Sequence, residues 1–398
     1  MAGVLATLTA MAQLDPEKRD LIQLGYNQPL QGVGPLGAYA FYYHNQPEFM
    51  TTNMSLRLAV APVYMDSELG FRNALGEHTD LGIGAAGGGF ADSYYEMRRG
   101  RYFREESFDG HGGEISGSVY HLFNPDQMIP LYGIFRASPN FTVYEDNDKT
   151  DPRFTLPDDH MGVNWRTGLR WGGMEPVVHP DMAMELSTWY EGRLRDRSGS
   201  YGYDGDREME MVTHLFWARA LIAYTLPESK QSFSLSVTAG TSVNEDRLSA
   251  YRLGGDLPLT SEFPLILPGY YYQEISARDF VNITGQYSLP LDAAKRFNLV
   301  TMGSIAFVDY TPGTAQPNSM NSGVGGGIEY RSRSGVWNIL AGYGYGFQAY
   351  RSGGDRGGQS IGILCQINLE AQRRNNLIRD QNSTMKSGGL TRFIHSIF

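Results

Sequence analysis

The chain has 398 residues, a net charge of -10 and one cysteine, Cys365. The acidic balance excludes nucleic acid as the main partner, and one cysteine can form neither an intramolecular disulfide nor a zinc or iron–sulfur cysteine cluster. No apolar run reaches the roughly 18 residues that a membrane-spanning helix requires. Only 41% of residues are hydrophobic, yet there are 25 Tyr, 19 Phe, 5 Trp and 48 Gly. That balance suits a barrel in which every second side chain faces lipid better than a soluble domain with helical periodicity.

In chain order, Ala2 to Thr9 form a short greasy core, and Ala10-Met11-Ala12 has the small-x-small form of a secretory cleavage site. Residues 13–34 carry a charged patch from Asp15 to Asp20 and a Gly/Pro-punctuated run. From Leu36 the chain becomes a succession of alternating segments separated by turn residues. Leu36–Asn45 is the first, and in Met54–Val60 Arg57 faces away from the Met/Leu/Val side. Others follow from Leu81, Ile115, Leu131, Val163, Met182 and Val212. Over Val163–Trp171, Trp165, Thr167 and Leu169 share one face while Asn164, Arg166 and Arg170 share the other. Two arginines on a dry sandwich face would be costly, whereas a wet lumen tolerates them. Phe233, Leu235, Val237 and Ala239 alternate in the same way with serines and Thr238.

A Gly254-Gly255 turn then opens a long aromatic loop ending in Pro268-Gly269-Tyr270. After it, Val281, Ile283, Tyr287 and Leu289 alternate with Asn282, Thr284, Gln286 and Ser288. Strands from Phe297, Val324, Trp337 and Ile361 complete the pattern. Along Trp337–Tyr350, large residues point outward while Gly342, Gly344 and Gly346 point inward, leaving space for a folded-in loop. The predicted fold is all-β, an antiparallel transmembrane barrel of about fourteen strands, or sixteen if one hairpin is hidden. Short connections at Asn124–Gln127, Pro227–Lys230, Asp292–Lys295 and Ser332–Gly335 alternate with long ones at Glu145–Asp159, Arg195–Arg207 and Asn244–Ala277. The long set belongs on the outer side.

The stretch from Leu253 to Asp309 resembles the BamA/TamA superfamily of outer-membrane assembly barrels, the bacterial surface antigen family. The shared features are the L-G-G turn, the glycine-aromatic tip Gly269-Tyr270 and Phe307-Val308-Asp309, which matches the F-x-D part of the following strand's motif. The resemblance implies that the loop folds into the lumen, and that Gly362, Cys365 and Ile367 lie in a final-strand assembly signal whose usual aromatic is replaced by Cys365. In the family an arginine at the loop tip pairs with acidic residues on the two following strands. Here Pro268 replaces that arginine, and Gln286 and Ser288 stand where Glu and Arg are usual. Asp309 therefore needs a substitute partner in a lumen latch, for which Arg252 and Arg278 are the candidates.

The expected organisation is a signal remnant (1–12), a short periplasmic segment (13–34), the barrel (35–371) and a periplasmic tail (372–398). In the tail, Leu390, Phe393, Ile394, Ile397 and Phe398 fall on one face of a short amphipathic helix, with Arg373-Arg374 expected at the anionic interface. Residues 13–34 are too few for the POTRA modules usual in the family. A separate periplasmic or membrane protein partner is therefore expected to receive the polypeptide that the barrel helps to insert or translocate, with outer-membrane lipids around the wall. The competing reading is a passive pore or surface structural protein.

No enzymatic motif stands out. A barrel hydrolase builds Ser/His pairs from different strands, for example His214 with Ser234 or Ser236. A strand histidine is more often a lumen or interface residue, and the expectation is no enzyme, no cofactor and no metal site. The acidic run Asp146–Asp151 lacks the glycine and terminal glutamate of an EF-hand loop. The sequence does not specify an oligomeric state.

Overall fold

The computed structural model describes residues 17–173, 181–256, 264–351 and 354–386. Its main sheet has 18 strands, two of which, Tyr94–Arg98 and Tyr251–Leu253, are short loop segments added at one rim. The other sixteen close into an antiparallel barrel. In chain order they are β1 (Arg19–Pro29), β2 (Gly37–Pro47), β3 (Met54–Val60), β4 (Tyr64–Phe71), β5 (Thr79–Gly88) and β6 (Arg101–Leu122). Next come β7 (Leu131–Glu145), β8 (His160–Gly173), β9 (Met182–Arg195), β10 (Val212–Thr225) and β11 (Ser232–Val243). The last five are β12 (Ile275–Pro290), β13 (Phe297–Tyr310), β14 (Met320–Arg331), β15 (Trp337–Tyr350) and β16 (Arg356–Asn368). Closure is by β1 against β16, from Leu21↔Asn368 to Pro29↔Ser360.

Fourteen strands is thus two short, and the missing two are β1 and β4. In β4 the charged residues Asp66 and Glu68 take alternate inward positions. In the barrel Asp66 meets Arg57 at 3.2 Å, and Glu68 accepts hydrogen bonds from Ser118 and Tyr120. The segment 13–34, expected to lie before the barrel, supplies β1 itself. Ile22, Leu24 and Tyr26 point outward while Gln23, Gly25 and Asn27 point in. The charged residues at its start are rim contacts: Asp20 accepts from Tyr42 at 2.6 Å and also pairs with Arg373.

The alternation has one consequence for environment. Leu169 is 46% exposed while its neighbour Arg170 is 8% exposed. Exposed aliphatic and aromatic side chains, among them Leu24, Leu186, Leu235, Ile305, Tyr343 and Ile363, ring the wall. Such a continuous apolar belt is untenable in water and matches the lipid-facing band of a membrane barrel.

After β16 the chain enters a helix, α1 (Leu369–Lys386), which begins at the rim carrying the chain's first strand end. Asn368 caps it, its Oδ1 accepting the Ala371 N–H at 2.9 Å, and Glu370 lies in the first turn. Arg373, expected at a lipid interface, is instead occupied by Asp20 and by Glu370 at 2.9 Å. The expected amphipathic helix over 390–398 lies outside the described residues.

Candidate functional site

The connection between β11 and β12 is the longest, and it turns inward. Gly254 has φ 130° and Gly255 φ 89°, backbone conformations that favour glycine. The Leu267 N–H bonds back to Gly255 O at 3.2 Å, pairing the two arms of the loop. Its apolar residues Leu253, Leu267 and Tyr270 form one buried cluster with Ile275, Phe280, Ala306, Val308 and Ala349, side chains of the inner wall and its rim.

The tip lies against wall glycines. Gly269 has φ 80°, and a Cβ there would strike the backbone of Gly346 and Gly358. A Cβ at Gly346 would come within 2.7 Å of the Tyr270 ring, and one at Gly344 within 2.6 Å of Asp256 Oδ1. Gly342 packs against Gly326 and Gly327 of the next strand rather than against the loop.

Asp256 sits where the first and last strands meet. Its Oδ1 accepts the Gly269 N–H at 3.0 Å, and its Oδ2 accepts Asn27 Nδ2 of β1 at 2.5 Å and the Ser360 hydroxyl of β16. One loop carboxylate therefore bridges both sides of the closing seam from within. Burial pushes its carboxyl above the usual range. Gly362, also on the inner face of β16, leaves ordinary contact room for Asp256 Cβ at 3.8 Å. Cys365 and Ile367 face outward, with Cys365 opposite Leu24 and Ile367 opposite Ile22.

A second anchor holds the far end of the loop. Arg351, just past β15, contacts both oxygens of Glu274 at 3.2 and 3.1 Å and donates to Gly269 O at 2.7 Å. Its guanidinium lies 3.9 Å from the Tyr271 ring centroid, and Glu274 Oε2 accepts the Tyr271 N–H at 2.8 Å. Burial raises the Glu274 carboxyl. No sequence signal marks this pair, because nothing local links two positions 77 residues apart.

The candidate latch around Asp309 takes a different form. Arg278 does pair with Asp309, but both are half-exposed on the outward side of the long-loop rim. Arg252 is elsewhere, donating to the carbonyls of Tyr95 at 3.5 Å and Arg247 at 3.2 Å, with its guanidinium 4.7 Å from the Tyr94 ring centroid. Register explains this: Asp309 shares the outward phase of Phe307 and Ile305.

Arg166 and Arg170 lie on the inner face. Arg166 stacks 4.3 Å from the Trp189 ring, and Arg170 stands 3.9 Å from Glu185, which Arg219 holds at 2.6 Å. His214 points outward and contacts the Tyr190 hydroxyl at 2.9 Å, whereas Ser234 and Ser236 have the inward phase. The Ser/His pair is not assembled. Among the described residues no group of three or more His, Cys, Asp or Glu could hold a metal ion.

No protein-family model matches the chain, and no curated protein matches it. Solved structures do. CdiB from Acinetobacter baumannii superposes with a TM-score of 0.58 at 9% identity, over 88% of this chain and 60% of that one. BamA from Haemophilus ducreyi lacking POTRA domains 1-3 gives 0.54 at 11% identity, over 88% and 71%. CdiB from Escherichia coli gives 0.54 at 10% identity, over 89% and 63%. The chain therefore spans about three-fifths of each CdiB chain, and the likeness is one of fold.

Proposed function

We propose that this barrel, which shares the fold of the BamA and CdiB outer-membrane barrels, resides in a bacterial outer membrane and assists insertion or translocation of polypeptide through its β1–β16 seam. The long loops face outward, the chain's first strand begins on the periplasmic side, and a separate protein partner receives the client. The observation that carries this reading is Asp256, a loop carboxylate hydrogen-bonded to Asn27 on one side of the seam and Ser360 on the other. The closed state of the seam is thereby tied to the position of the loop. A passive pore has no use for such a connection and is poorly served by a lumen occupied by Leu267 and Tyr270.

The native cysteine supplies the test. Leu24 faces Cys365 across the seam, and directly opposed residues in an antiparallel pair have Cα separations of roughly 4.5–5.5 Å, within reach of a disulfide. Leu24→Cys oxidised in cells should lock the barrel. The expected result is a changed outer-membrane protein profile matching depletion of the chain and reversed by reductant. A locked barrel that leaves the profile intact, while the reconstituted protein gives steady, solute-size-limited conductance, would establish the pore instead.

A further inference from the structure

The acidic chain concentrates cations in one stretch, Arg98-Arg99-Gly100-Arg101-Tyr102-Phe103-Arg104. Arg99 (φ 48°) and Gly100 (φ 69°) both adopt left-handed conformations and make the two-residue turn of a tight hairpin, with Arg98 paired to Arg101. This hairpin projects from the β5–β6 connection to the end of β15, where a Cβ at Gly100 would fall on the Tyr350 carbonyl. A hairpin that reaches another loop at its tip carries its arginines to a place the chain's order does not suggest.

That place is a basin of about 550 Å³. Arg98, Arg99, Arg101 and Arg351 line it together with Phe103, Tyr350 and positions 313, 315 and 354, and among the described residues no carboxylate is in the lining. The carboxylates lie behind the wall and are shared. Glu96 and Glu106 hold Arg98 at 3.3 and 2.5 Å; both also hold Arg207, and Glu96 holds Arg247 as well. Arg207 additionally approaches the half-exposed Asp206 at 3.5 Å. Arg351 is engaged by Glu274. Among the described residues the one ion pair of Arg101 is an exposed contact with Glu105 at 3.4 Å, a class of pair that contributes little. Arg99 is exposed and makes no ion pair among the described residues.

Two of the guanidinium groups are also held in place. Arg98 and Arg101 lie 4.1 and 4.6 Å from the centroid of the Phe103 ring, a contact that restrains both and adds no negative charge. Fixed guanidinium forks are suited to oxyanions that accept several bonds at once. Arg98 and Arg351 are already paired with carboxylates behind the wall, so Arg99 and Arg101 carry the charge that a ligand would meet. A phosphate, with its higher charge and more acceptors, fits better than a carboxylate, and the volume is in the range of small-ligand sites.

We propose that this basin binds a phosphorylated group, carried either by a soluble solute or by the headgroup of a phosphoglycolipid. The proposal is independent of the seam. Its test uses the full chain in zwitterionic detergent. One arm titrates inorganic pyrophosphate by calorimetry at low and raised salt. The other adds a bis-phosphorylated glucosamine lipid and its dephosphorylated form and reads retention by native mass spectrometry. The variant is Arg99→Asn with Arg101→Gln, because asparagine tolerates the left-handed turn and neither arginine is buried. Heat-modifiable migration identical to the parent certifies its fold. Binding in either arm that weakens at least tenfold in the variant supports the basin, and the arm that responds identifies the source. Failure of both probes to bind the parent, or equal binding by parent and variant, overturns it. Arg153→Gln, an exposed arginine elsewhere, should change nothing.

Discussion

Arg351 holds Glu274 at the foot of the central loop, with contacts to both carboxylate oxygens at 3.2 and 3.1 Å and both side chains buried. The polarity is the reverse of the latch implied by the family resemblance: here the loop supplies the carboxylate and the rim the cation. Removing one member leaves a buried, unpartnered charge, which costs ~3–5 kcal/mol. Glu274→Gln and Arg351→Met should each lower the unfolding midpoint in detergent, and the double variant should lose less than the sum. Strict additivity in the double-mutant cycle would show that the two do not act as a unit.

Asp256 gives the loop a pH dependence whose sign is fixed by its burial. Its carboxyl is raised above the ordinary value of about 3.9, so the native state favours the protonated form. The stability it contributes is complete below that ordinary value and is lost as pH rises through the raised one. Hydrogen exchange over residues 264–274 should therefore be slowest in acid and quicken as pH climbs, after correction for intrinsic rates. Asp256→Asn should flatten that slope, leaving the part due to Glu274, which burial raises in the same direction. An unchanged slope in the variant would remove Asp256 from the account.

Gly344 reports whether the loop and the wall can part. A Cβ there would lie 2.6 Å from Asp256 Oδ1 and 2.7 Å from the Gly269 nitrogen. Gly344→Ala should lower stability by ~1–3 kcal/mol through overpacking. Gly344→Trp should expel the tip or block folding. Single-channel recording separates the cases, since expulsion raises conductance; a Trp variant with parental conductance and heat-modifiability would place the tip elsewhere.

The helix after β16 is coupled to the seam through one residue. Asn368 pairs with Leu21 in the seam register and caps α1 through its side chain. Asn368→Ala should cost about 1 kcal/mol, and circular dichroism should show loss of helix before loss of strand. Simultaneous loss of both would mean that the cap also supports barrel closure.

Much of the wall was legible because a strand's facing pattern has a period of two and needs only neighbouring residues to state it. Leu235 between Ser234 and Ser236 identifies its outward side without reference to any other strand. Arg166 and Arg170 could be assigned to the wet side on the same grounds. The pattern failed at β4, where Asp66 and Glu68 occupy alternate inward positions and their partners Arg57, Ser118 and Tyr120 lie on other strands.

The inward glycines Gly344 and Gly346 correctly announced space, since a missing side chain is a local fact. What fills the space was not local. Asp256 meets Asn27 across 229 positions, and Arg351 meets Glu274 across 77. Which charges meet depends on where the barrel closes and on the path of a loop that returns to its own wall. Asp309, read as a lumen residue, lies outside for a local reason, since it keeps the outward phase of Ile305 and Phe307 along β13. The sequence by itself determined the alternation and hence a barrel wall with a wet interior. Only the tertiary structure decided its partners, because closure of β1 on β16 and the inward turn of the loop bring together residues that no local interaction connects.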